Sequence, residues 1–312
     1  MTTRNFILRT TRLMCLIMCL VCASVANAAT ANWWANDTLV VKGCGFPPRN
    51  ADPKYARDLA RRAAVADGYR NLAERVKEIH ITAETTVGTQ ILAGDIVRSK
   101  VNALIRDAEI LSTDFDADGK CVVVMSVPIY GVTNSVASVT FKPVDKQDFP
   151  KPPADLQAEG HYTGLIIDCG DSDLKPVLTP VIRDADNVSI YSYGNLDFDK
   201  VLTRGMIGYV TKDDDTTWLV QSPRAPSFVL LSYAARIENK LMFLTAQSTN
   251  GNTSRVGANP LIIRAERLAD DDTSPVVSKS DADKILAENQ ISHFLDNGAV
   301  VFTGYRVGGL RV

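Results

Sequence analysis

The chain has 312 residues, of which 46% are hydrophobic and 22% are charged, and its formal net charge is −2. This composition excludes a disordered chain, and the mildly acidic balance argues against nucleic acid as the main partner. The length suggests two domains, each with enough apolar residues for its own core.

The first 28 residues have the order of a secretory signal peptide. Three arginines precede an apolar run from Leu13 to Val25, and the small residues Ala26-Asn27-Ala28 follow. Positive, apolar and small-residue segments in this order predict export, with cleavage after Ala28. The apolar run is shorter than the roughly 20 residues that span a bilayer, which disfavours a retained anchor.

Residues 29–141 are predicted to form an α+β domain, a small sheet covered by one long helix. After a strand at 39–44, Gly43 and Gly45 are interpreted as residues of a tight turn. Asp52 can cap the helix that Pro53 begins. Asp58 and Arg62 lie at i,i+4 spacing and are expected to form an ion pair. The expected apolar stripe of the helix is Tyr55, Leu59, Ala63, Ala66, Tyr69, Ala73 and Val76.

Beyond this helix the pattern changes to a period of two. Apolar and polar residues alternate from Ile79 to Ile91, which predicts a strand with one exposed face. A second helix is expected at 96–108. Two strand-like runs, 110–115 and 120–127, are joined by Asp116-Ala117-Asp118-Gly119, which predicts a hairpin.

Four prolines between Lys142 and Gly160 predict a linker. The domain after it, 161–312, is predicted to be mainly β with a late helix from Ser280 to Leu295. The strand candidates are 162–169, 177–183, 188–193, 228–237, 241–246, 261–268 and 299–303.

Few residues have the pattern of a chemical site. Asp114, Asp116, Asp118 and Gly119 match the start of a calcium-binding loop, but Met125 stands where such a loop needs a glutamate. The histidines at 80, 161 and 293 have no metal-ligand spacing. His161 and Asp168 leave a hydrolase open, although the G-x-S-x-G signature is absent from the sequence. We therefore predict no catalytic residue, no cofactor and no metal.

Three of the six cysteines belong to the leader, and Cys44, Cys121 and Cys169 remain. An oxidising compartment would permit one disulfide. Cys44 and Cys121 flank strands of one domain and are the candidate pair. The alternative is three buried thiols that act as small hydrophobes.

Two features are candidates for a contact surface. Trp33 and Trp34 form an aromatic pair close to the predicted cleavage site, and Arg57, Arg61 and Arg62 cluster on the long helix. Exposed aromatic pairs mark contact surfaces, and arginine clusters attract anionic head groups or acidic partners. The alternatives are that the tryptophans pack onto the first domain and that the arginines are solvated.

Several segments resemble the LPP20 family, which is similar to the N-terminal domain of flagellar assembly protein T. The segments are 42–48 (KGCGFPP), 60–74 (ARRAAVADGYRNLAE), 124–131 and, in longer members, 162–168 (YTGLIID). The resemblance covers residues 38–135 and contributes no catalytic residue. It implies a bacterial cell-envelope protein that binds envelope or flagellar components.

The sequence thus predicts a non-enzymatic periplasmic protein that acts through protein–protein contacts in flagellar or outer-membrane assembly. Lipid attachment is not expected, because neither Cys19 nor Cys22 follows the small residue that it requires; peripheral association with the outer membrane stays open. The alternatives are a periplasmic hydrolase and a module that binds a small ligand or peptidoglycan.

Overall fold

The computed structural model describes residues 33–170, 172–211, 255–269 and 271–305. The predicted leader and the strand candidates at 228–237 and 241–246 lie outside these ranges. The fold is α+β: a sheet-and-helix region precedes a region of mainly strands with a late helix. We call residues 33–141 the N-terminal region and residues 161–305 the C-terminal region. No helix within the described ranges is long and apolar enough to cross a membrane.

The N-terminal region contains one three-stranded antiparallel sheet in the order β1-β3-β2. Its elements, in chain order, are α1 (Trp33–Asn36), β1 (Thr38–Gly45), α2 (Pro53–Glu78), α3 (Val87–Ala93), α4 (Asp95–Arg106), β2 (Glu109–Phe115), β3 (Cys121–Pro128) and α5 (Val136–Thr140).

The long helix α2 begins as predicted, because the Asp52 carboxylate accepts a hydrogen bond from the Lys54 N–H at 2.9 Å. Its buried face, however, differs from the predicted stripe: Tyr55 is 52% exposed and Leu59 is 36% exposed. The residues that α2 buries are Ala60, Ala64, Gly68, Leu72 and Val76, of which only Val76 belongs to the predicted stripe.

The glycines of β1 explain this choice of face. Gly43 and Gly45 lie within the strand rather than in a turn, and a Cβ at either position would overlap the backbone of α2 at Ala60 or Ala64. On the helix side, a Cβ at Gly68 would come within 2.5 Å of the Met125 sulfur. The helix backbone therefore lies directly on the strand, and only small residues fit the central contact.

The segment that was predicted as an alternating strand is mostly not a strand. His80 and Thr86 form one isolated bridge, and α3 begins at Val87. Thr86 and Thr89 form a reciprocal capping box, in which each hydroxyl accepts a hydrogen bond from the other residue's N–H, at 3.1 and 2.9 Å. Threonines that favour a strand by propensity act here as helix caps.

The predicted hairpin is confirmed, with a turn in which Gly119 has φ +78°. The Asp116 carboxylate accepts hydrogen bonds from the N–H groups of Asp118 and Lys120 at 3.0 and 2.9 Å. This aspartate therefore closes the turn. Among the described residues, no cluster of His, Cys, Asp or Glu could hold a metal ion.

The C-terminal region contains a parallel sheet in the order β7-β11-β4-β8 and a small mixed sheet in the order β6-β5-β10-β9. Its elements are β4 (Gly164–Asp168), β5 (Ile182–Arg183), β6 (Ser189–Tyr191), the 3₁₀ turn Tyr193–Asn195, α6 (Phe198–Arg204), β7 (Gly208–Thr211), β8 (Pro260–Arg264), β9 (Arg267–Leu268), β10 (Pro275–Val276), α7 (Lys279–Ser292) and β11 (Val300–Tyr305).

Both faces of the parallel sheet are covered. On one face Leu165 and Phe302 belong to the main core of this region, and on the other Ile166 and Val301 belong to a smaller cluster. This two-sided burial explains the nearly continuous apolar sequence of β4. Of the predicted strand 177–183, only Ile182–Arg183 is a strand.

The proline-rich segment 142–160 has no helix or strand, but it contacts the C-terminal region. The Gln147 N–H donates to the Gly194 carbonyl at 2.7 Å. The N–H groups of Glu159 and Gly160 donate to the Glu288 carboxylate of α7 at 2.8 and 2.9 Å. The segment is therefore attached along its path by specific hydrogen bonds.

Candidate contact surface

The exposed side of α2 carries the arginines that the sequence singles out. Positions three and four residues apart lie on one line of a helix surface. One such line, here called the α2 strip, consists of Asp58, Arg61, Arg62, Val65, Ala66 and Tyr69. Arg57 precedes the strip and is also exposed.

The opposite flank of α2 serves the fold. The Asp67 carboxylate accepts a hydrogen bond from the Cys44 N–H at 2.9 Å, and the Asn71 amide donates to the Lys42 carbonyl at 2.8 Å. Both groups belong to β1, which ends the sheet on that side. The helix therefore provides hydrogen-bond partners for backbone groups of an edge strand, which could otherwise pair with another chain.

The arginines of α2 also differ in how they are paired. Arg70 pairs with Asp67, and Arg75 pairs with Glu78 at 2.9 Å. In contrast, Arg61 and Arg62 form no ion pair with any residue that the structure describes. The predicted Asp58–Arg62 pair is not formed. Positive charge on the α2 strip is thus left without a described counter-ion.

Arg57 and Arg61 also act on residues beside the strip. The Arg57 guanidinium lies 4.5 Å from the centre of the Phe115 ring, within the range of a cation–π contact. Burial raises the pKa of the Cys121 thiol, and the positive charges of Arg61 and Arg57 oppose that rise. The field of both arginines therefore extends over the end of the hairpin.

At its other end the strip meets α4. The Tyr69 hydroxyl donates a hydrogen bond to the Arg106 carbonyl at 3.3 Å. Arg106 is the last residue of α4, so this contact joins the strip to the end of that helix. Tyr69 and Val65 are half-buried and pack against the N-terminal core, whereas Ala66 is exposed. Small and half-buried side chains therefore form the middle of the strip.

The structure does not bring the tryptophans to this surface. Trp33 is only 8% exposed and belongs to the N-terminal core. Trp34 is half-buried and packs against the cores of both regions, with its ring centre 5.2 Å from that of Trp33. The pair therefore packs inside the fold, as the alternative interpretation proposed.

The structure also does not support a bridge between Cys44 and Cys121. Both are free thiols, as is Cys169. Cys44 is exposed, whereas Cys121 lies opposite Gly45 in the register and faces the core. Because neighbouring residues of a strand point to opposite faces, the two thiols lie on opposite sides of the sheet.

The pair considered for a hydrolase is engaged elsewhere. His161 contacts the Glu159 carboxylate at 3.1 Å. The Asp168 carboxylate accepts hydrogen bonds from the Gly170 N–H at 2.9 Å and the Thr303 hydroxyl at 3.4 Å. Each group thus contacts its own neighbours.

Sequence reasoning missed the buried charged residues of the C-terminal region. Asp184 is fully buried, Glu288 is 1% exposed and Arg255 is 6% exposed. The Arg255 guanidinium donates to the carbonyls of Gly205 and Gly298, each at 3.3 Å, and to that of Arg204. Glu288 and Arg255 bind backbone groups of distant segments, and Asp184 pairs with the distant Lys279 side chain, so no local pattern could have revealed their burial.

Comparison with known proteins adds one match. The family described as Treponema pallidum Tp0624, second domain, matches residues 164–232 and 225–303. The match falls in the C-terminal region and does not include α2. No curated protein matches the chain.

Proposed function

We propose that this chain is a non-enzymatic cell-envelope protein that works in the periplasm by binding other proteins through the α2 strip. The observation that carries the proposal is that the arginines of α2 differ in their pairing. Arg70 and Arg75 are held in ion pairs, and Asp67 and Asn71 bind β1, whereas Arg61 and Arg62 are exposed without a described counter-ion.

Arginine is enriched at protein interfaces, because its planar guanidinium can donate several hydrogen bonds to a carboxylate in fixed geometry. A solvated arginine in the free protein can form such bonds when a partner arrives. Val65 and Ala66 add a modest apolar patch between the arginines and Tyr69. Protein interfaces combine apolar contacts with polar groups around them.

Two sequence features support the location. The order of positive, apolar and small residues before Ala28 predicts export. The resemblance of residues 38–135 to the LPP20 family, which includes α2, implies a partner in the envelope or the flagellum.

Site-specific photocrosslinking in whole cells tests the proposal. A benzoylphenylalanine residue would be placed at Ala66 on the strip or, as a matched control, at Glu74, which is exposed elsewhere on the same helix. We expect a discrete adduct with another protein from position 66 and none from position 74. Equal adducts from both positions, or none from position 66, would contradict the proposed surface.

A further inference from the structure

We propose that the segment bound by the α2 strip is an acidic amphipathic helix of a partner protein, whose carboxylates pair with Arg61 and Arg62. This inference rests on the proposed function and adds the chemistry of the partner. Its starting point is charge: the strip carries two arginines and one aspartate, and Arg57 adds a third cation beside it. The chain as a whole has a net negative charge, whereas α2, which carries the strip, has more basic than acidic residues.

The spacing of the arginines suits a helical partner. Arg57 lies four residues before Arg61, about 6 Å along the axis of α2, and the face of its guanidinium lies over the Phe115 ring, which leaves the N–H groups at its edge for a carboxylate. Glutamates at i,i+4 of a second helix have the same spacing, so two neighbouring turns can pair at once. From Asp58 to Tyr69 the strip is roughly 17 Å long, which accommodates about three turns of a partner helix.

The side chains that follow the arginines along the strip favour close packing. Ala66 is small and Val65 is half-buried, so neither holds a second helix away from α2. Packed helices have axes about 8–10 Å apart, and small residues at the contact allow the shorter distance. The carboxylates of the partner would then lie within reach of the long arginine side chains on either side.

The same surface fits a lipid bilayer poorly. Helices that lie in a membrane interface insert large apolar side chains such as Trp, Phe and Leu. The strip itself has no such residue, and the exposed Tyr55 and Leu59 lie beside only its first turn. Tyr69 is half-buried, and its hydroxyl is bonded to the Arg106 carbonyl. Asp58 would also repel an anionic head group. A protein helix can place a neutral or basic residue opposite Asp58, and a uniform anionic surface cannot.

A binding experiment on the mature chain tests this chemistry. The probe is a fluorescein-labelled, helix-stabilised peptide of about 17 residues with leucines and i,i+4 glutamates on one face. The control peptide carries glutamine at each glutamate position. We expect the acidic peptide to bind at least about tenfold more tightly than the control peptide at low salt, with a preference that weakens as the salt concentration rises.

Charge reversal then locates the site. The double variant Arg61→Glu, Arg62→Glu should lose about tenfold or more in affinity for the acidic peptide. The matched double variant Lys77→Glu, Lys100→Glu changes the net charge equally at exposed positions outside the strip and should bind within about twofold of the parent. Both variants should keep the parent's urea midpoint, since all four side chains are exposed.

Three results would overturn the inference: equal binding of the glutamine peptide, equal losses in the two double variants, or binding of phosphatidylglycerol vesicles that alone depends on Arg61 and Arg62. If crosslinking at position 66 succeeds while the peptide shows no dependence on the arginines, the contact surface stands and its acidic partner is rejected. If crosslinking fails, the proposed function itself fails, whatever the peptide does.

Discussion

The two larger sheets of this chain bury their strands in different ways. The antiparallel sheet of the N-terminal region has α2 on one face, while Lys42 and Cys44 are exposed on the other. The parallel sheet of the C-terminal region has hydrophobic clusters on both faces. A one-sided sheet leaves surface available for contacts, and a two-sided sheet does not.

The two regions also use polar side chains differently. In the N-terminal region the exposed arginines of α2 remain on the surface, and the central contact is a close approach of two backbones. In the C-terminal region the charged side chains of Asp184, Glu288 and Arg255 are buried and bind loop backbone. We infer that the first region is suited to binding and the second to holding the chain in shape.

The largest expected effect tests the close backbone approach. Gly43→Ala or Gly45→Ala would place a methyl group against the backbone of α2, which cannot move away without losing the contacts of Ala60 and Ala64. We expect each change to lower the free energy of unfolding by about 3 kcal/mol or more, measured by urea denaturation.

Gly94→Ala is the control for these variants, because a Cβ at Gly94 meets no atom within 4 Å. Gly94→Ala should lower the free energy of unfolding by no more than about 1 kcal/mol, since Gly94 only precedes the first turn of α4. Similar losses at all three positions would show that the fold does not depend on the approach of α2 to β1.

A smaller effect is expected from the buried carboxylate of Asp184. Burial disfavours its charged form, but hydrogen bonds from Lys279 and the Val188 N–H, at 2.9 and 2.8 Å, outweigh this and hold its pKa below the usual value. Because the pKa of Asp184 is lower in the folded than in the unfolded state, its charge stabilises the fold at pH values above the unfolded-state pKa of about 3.9. This stabilisation is lost as the pH falls through the folded-state pKa.

Asp184→Asn should therefore lower the free energy of unfolding at neutral pH, and its difference from the parent should shrink as the pH falls below about 4. Urea denaturation at a series of pH values measures this. Asp155→Asn, at an exposed position, should have the same free energy of unfolding as the parent at every pH. A constant difference between parent and Asp184→Asn across the acid range would contradict the assigned charge.

The smallest perturbation is chemical labelling of the thiols. The chain to be labelled begins after the predicted cleavage site at Ala28. A maleimide should modify Cys44 in its native state, and Cys44, Cys121 and Cys169 after denaturation without reductant. Burial raises the pKa of both Cys121 and Cys169, which further slows their reaction. Finding only one reactive thiol in the denatured, unreduced protein would restore the predicted disulfide and place the two cysteines on one face.

Local signals in the sequence predicted several elements correctly. Asp52 and Pro53 marked the start of α2, and Gly119 marked the hairpin, since each acts through the backbone of its nearest neighbours. The position of the late helix α7 was also predicted, although its cap is Ser278 rather than Ser280. The arginines of the candidate site were found from their clustering on one helix.

Two of the misses depend on residues that are distant in the chain. The buried face of α2 could not be predicted from its own apolar residues, because the glycines of β1 select small side chains there. Likewise, nothing near Arg61 or Arg62 in the sequence shows that they lack ion pairs while Arg70 and Arg75 have them.

The sequence by itself therefore determined the α+β class, the start of α2 and the turn at Gly119, because caps and positive-φ residues act within a few positions. Only the tertiary structure decided which side of α2 faces solvent, the parallel order β7-β11-β4-β8 and the burial of Asp184, Glu288 and Arg255. The physical reason is that all three features depend on packing and hydrogen bonding between segments far apart in the chain, which no local pattern of residues encodes.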